Sequence, residues 1–230
     1  MRRQGRGDAQ AQRIRDMESK DKALMGSPLE PDIPVPPCAC FPASESVPSW
    51  QVVSSDQVAD CRVFQVRRDR SIDPRDGTEH DFFVIEAPDW INVVPLTSDG
   101  QVVMIEQYRH GTNEITLEIP GGMVDEGESP GGAAARELLE ETGFAAREIV
   151  ALGKTRPNPA IQNNWLHSFI ASDVYFVEEP KFDGSEHTAV RLVPLAEVPA
   201  LIANGTIDHA LVVVAFHRLA LLQQGLTVAV

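Results

Sequence analysis

Residues 122–144 read GMVDEGESPGGAAARELLEETGF, a glycine-rich loop that gives way to a helix. Ser129 suits an N-cap, Pro130 the first helical position and Gly143 a left-handed C-cap, so the spacing predicts a helix that includes Ala133 to Thr142. Glu137, Glu140 and Glu141 then stand at i, i+3 and i+4, on one helical face and within reach of a common point. Taken alone, three such acids read as a solvated face with Arg136 as an ordinary surface partner. Unneutralised, they repel one another. Hard divalent cations take oxygen ligands, and bound cations would turn that repulsion into attraction.

The helix belongs to a longer pattern: Gly122, five residues, Glu128, seven residues, then Arg136-Glu137-Leu138-Leu139-Glu140-Glu141-Thr142-Gly143-Phe144. This pattern resembles the signature box of the Nudix hydrolases, matched without gap or substitution. Seven fixed identities at a usage of about 7% each would arise by chance in a chain of this length only about twice in a million times. The resemblance implies a loop-helix-loop cradle in which Glu137, Glu140 and Glu141 hold Mg²⁺ or Mn²⁺, with the carbonyl of Gly121 a further ligand. It also implies that Glu128 and Arg136 brace the loop against the helix and that Gly122 keeps the backbone compact at the entrance.

Working outward, Val93 to Gly122, with Gln107-Tyr108-Arg109 and Leu117-Glu118-Ile119-Pro120-Gly121-Gly122, looks like the ADP-ribose and nucleoside-diphosphate-sugar pyrophosphatase branch. In that branch an arginine at the position of Arg109 contacts substrate phosphate, which its planar fork suits. The plainer reading of Arg109 is an exposed strand arginine paired with an acid. Glu118 stands near the cradle as a second substrate-binding candidate, and Pro159 falls where the branch carries a proline that shapes the substrate loop. The residues around it, Asn158 to Asn164, depart from the branch's usual pattern, so a sugar or base other than ADP-ribose stays open. Glu186 aligns with an additional metal-binding glutamate. The acid that serves as base in several relatives is replaced by Gly184, which leaves Asp183, Glu186 and Glu140 as candidates. The resemblance implies Glu140, Glu186 and Arg136 as the catalytic set, with Asp183 still open as the base.

The remainder bounds this reading. With 34 acidic against 20 basic residues the net charge is −14, which disfavours nucleic acid as a partner. No apolar run approaches the ~20 residues of a membrane-spanning helix. Cys38, Cys40 and Cys61 match neither a disulfide framework nor a zinc site, and a reducing, cytoplasmic location is expected. Residues 1–48 read as a loose basic tail followed by a proline-rich arm; the arginine-rich start lacks the apolar segment that an export signal requires. Strands are expected at Gln51 to Val53, Arg62 to Val66 and Phe82 to Ile85, making residues 49–88 a β-rich extension. The resemblance implies that this extension dimerises the protein as a homodimer, with Phe83 and Trp90 as interface or base-stacking candidates.

The resemblance implies that residues 89–230 form the Nudix hydrolase domain. Trp90 to Leu96 and Val102 to Gln107 flank a turn at Asp99 and Gly100 that fits a β-hairpin. Val190 to Val193 reads as a strand, and Ala196 to Ala203 and Asp208 to Leu222 as helices. The fold class is α+β, an α/β/α sandwich with a mixed sheet between helices. The expected reaction is metal-dependent cleavage of the diphosphate bridge of a nucleoside diphosphate sugar or ADP-ribose, giving a nucleoside monophosphate and a sugar phosphate. A nucleotide-sugar sensor without hydrolysis and a nucleoside triphosphate pyrophosphohydrolase are the alternatives.

Overall fold

Along β4 (Trp90–Pro95) neighbouring side chains enter different cores: Ile91 and Val93 pack on one side, Val94 on the other. A strand apolar on both faces must lie inside a sandwich, and this one does. The computed structural model describes residues 47–181 and 187–226. The tail and most of the proline-rich arm lie outside the described residues, as do positions 182–186. The chain divides between Pro48 and Ser49, and every strand and helix among the described residues belongs to the unit that begins at Ser49.

That unit opens with three antiparallel strands, β1 (Gln51–Asp60), β2 (Gln65–Ile72) and β3 (Glu79–Glu86), in the order β1-β2-β3. Strand β2 starts later than the expected Arg62. Arg62 is left-handed at φ 69°, its N–H donates to Asp60 Oδ1 at 2.9 Å, and the chain turns there before it pairs. Cross-strand ion pairs lace the ribbon, Arg68 with Asp56 and Arg70 with Asp81, each at 3.1 Å.

The next strands are β5 (Gln101–Arg109), β6 (Glu114–Glu118) and β7 (Gly121–Met123). The anticipated hairpin is only half right. Gly100, at φ 83°, makes the turn, but β4 and β5 touch by a single bridge, Leu96 to Val102, and then part. Beyond β8 (Phe144–Ala145), β9 (Glu148–Thr155) and β10 (Leu166–Ser172), the chain runs through β11 (Tyr175–Phe176) to β12 (Thr188–Pro194). Strand β4 pairs parallel with β10 and antiparallel with β7, in a mixed sheet ordered β7-β4-β10-β9, whereas β5 lies between β12 and β6. The buried β4 ladder is filled by β10, a partner far away in sequence.

Helix α1 (Pro130–Thr142) covers one face and α3 (Ala210–Gln223) the other, with the short α2 (Val198–Ala203) following a 3-10 turn at Leu195–Glu197. The chain thus adopts the anticipated α/β/α sandwich. Helix α1 obeys its local code: Ser129 accepts from Gly132 N, and Gly143 at φ 74° returns its N–H to Leu139 O at 2.8 Å. Helix α3 begins at Ala210 rather than Asp208, with His209 extended at the N-cap. No helix among the described residues is long and apolar enough to cross a membrane.

Candidate active site

Helix α1 lies against β4 and β7, and the groove beside it opens into a cavity of about 840 Å³. Glu137 and Glu140 line it from the helix, Gly121 and Gly122 from β7, and Arg109 and Glu118 from β5 and β6. The residues singled out in the sequence are therefore largely brought to one place.

Arg136 organises the acids. Its five N–H groups each find an acceptor: Nε to Glu128 Oε1 at 3.1 Å, Nη1 to Glu137 Oε1 at 2.8 Å and Glu140 Oε2 at 3.1 Å, and Nη2 to Glu128 Oε2 and Met123 O at 3.0 Å each. The ties to Glu128 and Met123 pin the loop before α1 onto the helix. Glu128 holds the guanidinium pKa above its ordinary value, and Arg136 in turn lowers that of Glu128. Every donor of Arg136 is spent on the protein.

Glu141 is buried and its Oε2 accepts from Gly121 N at 2.9 Å. Gly122 passes so close to Glu137 that a Cβ there would lie 2.1 Å from Oε1. A side chain at either glycine would collide, since a Cβ on Gly121 would sit 2.6 Å from Ile91 O. Among the described residues no three acidic, His or Cys side chains form a ready-made cage: Glu137 and Glu140 close on Arg136, while Glu141 turns to β7. The helix period places the three on one face, but their present partners differ.

Across the cavity Arg109 grips Glu118 with both arms, Nε to Oε1 at 2.8 Å and Nη2 to Oε2 at 2.7 Å, and Thr116 Oγ1 adds a third bond at 2.6 Å. Burial pushes the Glu118 pKa up, but the bonds from Arg109 and Thr116 outweigh it and leave the group below its ordinary value. Arg109 is thus paired with an acid, as its plainer reading expects, and it also lines the cavity.

Pro159 does not line this cavity. It lies in an exposed turn whose neighbours fasten onto β3, with Ile85 N donating to Ile161 O at 2.7 Å and Ala87 N to Asn163 Oδ1 at 3.3 Å. Asn164 Nδ2 donates to Pro88 O at 3.0 Å, so these asparagines serve the turn and its anchorage. Glu186, Asp183 and Gly184 lie outside the described residues. Trp90 lines the cavity, whereas Phe83 is exposed. Sequence reasoning passed over Arg62, Asn92 and His209, which also line it. Asn92 carried a signal, a polar residue inside the apolar run Trp90–Pro95; its Nδ2 donates to Leu211 O at 2.9 Å and pins α3 to β4.

The NUDIX domain family matches residues 88–216. The chain belongs to the Nudix family. Among curated relatives, an ADP-ribose pyrophosphatase of Bacillus subtilis is 28% identical over 128 residues, 55% of this chain and 69% of the relative. An ADP-ribose pyrophosphatase of Mycobacterium tuberculosis is 27% identical over 71% of this chain and 80% of its own length. A crystal structure described as an ADP compounds hydrolase superposes with TM-score 0.70 at 27% identity, covering 80% of this chain and all of that one. The protein falls in the ADP-ribose branch of the Nudix hydrolases and is an enzyme acting on pyrophosphate bonds. Nudix hydrolases generally use divalent metal ions, and the donors here fit one. They are the carboxylate oxygens of Glu137 and Glu140, hard ligands on the wall of the cavity beside Gly121 and Gly122.

Proposed function

We propose that this Nudix enzyme hydrolyses the diphosphate bridge of ADP-ribose or a nucleoside diphosphate sugar, with Mg²⁺ or Mn²⁺ as cofactor. Products would be a nucleoside monophosphate and a sugar phosphate. The observation that carries this reading is that Glu137 and Glu140 share one cavity with Arg109. One wall supplies carboxylates for cations, and the other supplies a guanidinium for phosphate. Glu137, Glu140, Glu141 and the Gly121 carbonyl are the residues that would hold metal, with Glu186 a further candidate. Bound there, a divalent cation would polarise the phosphoryl group and acidify a water.

The chain's own residues supply the rest. Arg136 and Glu128 hold the loop so that Gly121 and Gly122 stay against the helix. Arg109 offers a bidentate fork to phosphate oxygens. Glu140, the least buried of the three box acids, is a base candidate within the described residues, with Glu186 and Asp183 as rivals. A homodimer through the N-terminal strands is part of the proposal, supported by the exposure of Val52, Val53, Phe82 and Phe83 on that ribbon. Light scattering at micromolar concentration tests it, and a monomer removes it. A cytoplasmic location is likewise proposed.

The test of the activity is product analysis with ADP-ribose, ADP-glucose and GDP-mannose in Mg²⁺, for wild type and Glu141→Gln. The amide keeps an oxygen for Gly121 N, so the fold should stand while turnover is abolished. Near wild-type turnover by that variant would refute the metal reading. Binding without product would favour a sensor, and release of pyrophosphate from nucleoside triphosphates would favour the other enzyme class.

A further inference from the structure

His209 occupies the N-cap of α3 but makes no capping bond through its side chain, at a position where Ser, Thr, Asp or Asn would ordinarily bond the helix. Its ring lies on the cavity wall, with Nδ1 buried and without a hydrogen-bond partner among the described residues. Glu118 Oε2 lies 3.8 Å away, too far for a hydrogen bond. That oxygen is already taken by Arg109 Nη2 at 2.7 Å.

A phosphate that engages Arg109 through Nε and Nη2 must break its hold on Glu118. Glu118 is only 2% exposed, and a carboxylate that deep cannot be left without a donor cheaply. We propose that His209 is the reserve partner of Glu118: when Arg109 turns to a phosphate oxygen of the substrate, His209 Nδ1–H closes onto Glu118 Oε2. Each carboxylate oxygen then keeps a donor, since Thr116 Oγ1 already serves Oε1 at 2.6 Å. The neutral imidazole tautomer with hydrogen on Nδ1 is sufficient, so no change of protonation is needed. Asn92 anchors the first turn of α3 beside His209, its Nδ2 donating to Leu211 O. His209 is thereby a positioning residue that acts on substrate through Glu118 and Arg109. This inference rests on the proposed diphosphate substrate.

The experiment is calorimetric binding of a methylene-bridged, non-hydrolysable ADP-ribose analogue to the full chain in Mg²⁺, beside steady-state kinetics on ADP-ribose. His209→Ala should weaken analogue binding about tenfold, the size of one hydrogen bond to a charged group, and raise KM far more than it lowers kcat. The melting temperature without ligand should not fall, because Arg109 still serves Glu118 in the free protein. His209→Asn, whose amide nitrogen stands near the place of Nδ1, should recover most of the loss, and His209→Gln should not. In a Glu118→Gln background, His209→Ala should have no further effect.

A persistent tenfold loss in that background would show direct contact between His209 and substrate and overturn the proposal. Unchanged binding by His209→Ala would overturn it too, as would a fall in melting temperature matching the loss of affinity. If wild type binds no diphosphate analogue at all, the functional reading itself falls, and the inference falls with it.

Discussion

Arg109 and Glu118 form a two-armed ion pair across neighbouring strands, with Nε–Oε1 2.8 Å and Nη2–Oε2 2.7 Å, in which the acid is buried and the guanidinium half exposed. The register of β5 on β6 puts Arg109 beside Glu114 and Gln107 beside Thr116, so the pair bridges diagonally and its long cation reaches the cavity. One side chain therefore serves both the fold and the site.

Arg109→Ala should cost about 2 kcal/mol of stability, less than the 3–5 kcal/mol typical of breaking a fully buried pair, because Arg109 is partly solvated and Thr116 remains. It should also lower kcat/KM on ADP-ribose by at least tenfold. Arg109→Lys should recover stability better than activity, since an ammonium cannot reproduce the bidentate fork. Urea melts and steady-state kinetics on the three proteins check both statements.

The same pair sets an acid limit. Glu118 has its folded pKa below its ordinary value of 4.5, so its bonds contribute fully above about that pH, where the unfolded chain is also ionised. The contribution is lost as pH falls through the lower folded value. Unfolding free energy measured from pH 5 down to pH 3 should fall less steeply in Glu118→Gln than in wild type. Parallel slopes would remove Glu118 from the account of acid sensitivity.

Helix α1 was legible because its signals are local: Ser129, Pro130 and Gly143 mark its ends, and the i, i+3, i+4 spacing aligns its acids. The partner of β4 was not legible in this way. A good turn at Gly100 predicts that β4 and β5 stay together, but β10 competes for the same edge and completes a doubly covered sheet, a choice made by tertiary packing. The part played by Arg136 follows from the resemblance, whereas the turn of Glu141 toward Gly121 depends on how closely β7 approaches the helix. His209 gave no local sign, for its meaning lies in a carboxylate 91 positions earlier in the chain.

Gly122→Ala isolates the cradle from the fold. Its Cβ would overlap the Glu137 carboxylate, 2.1 Å from Oε1 and 2.5 Å from Cδ, and the end of a flexible side chain can move aside. Stability should change by no more than about 1 kcal/mol, a typical surface-scale effect. Activity should fall at least tenfold, and the Mg²⁺ concentration for half-maximal rate should rise, because Glu137 is driven from its place. Loss of activity with unchanged metal dependence would count against Glu137 as a ligand.

Metal should also be visible without turnover. Arg136 pairs with the carboxylates of Glu128, Glu137 and Glu140, three acids on one guanidinium, and a cation that binds only the folded state must stabilise it. At a hundred times its dissociation constant such a cation adds about 2.7 kcal/mol, or a rise of roughly 5–10 °C in melting temperature for a domain of this size. Mg²⁺ should produce that rise and a chelator should reverse it, along with all turnover. In Glu137→Gln/Glu140→Gln the rise should shrink to a small fraction, although relief of repulsion between the acids should leave the metal-free protein at least as stable as wild type. A full Mg²⁺-induced rise in the double variant would place the cation elsewhere in the molecule.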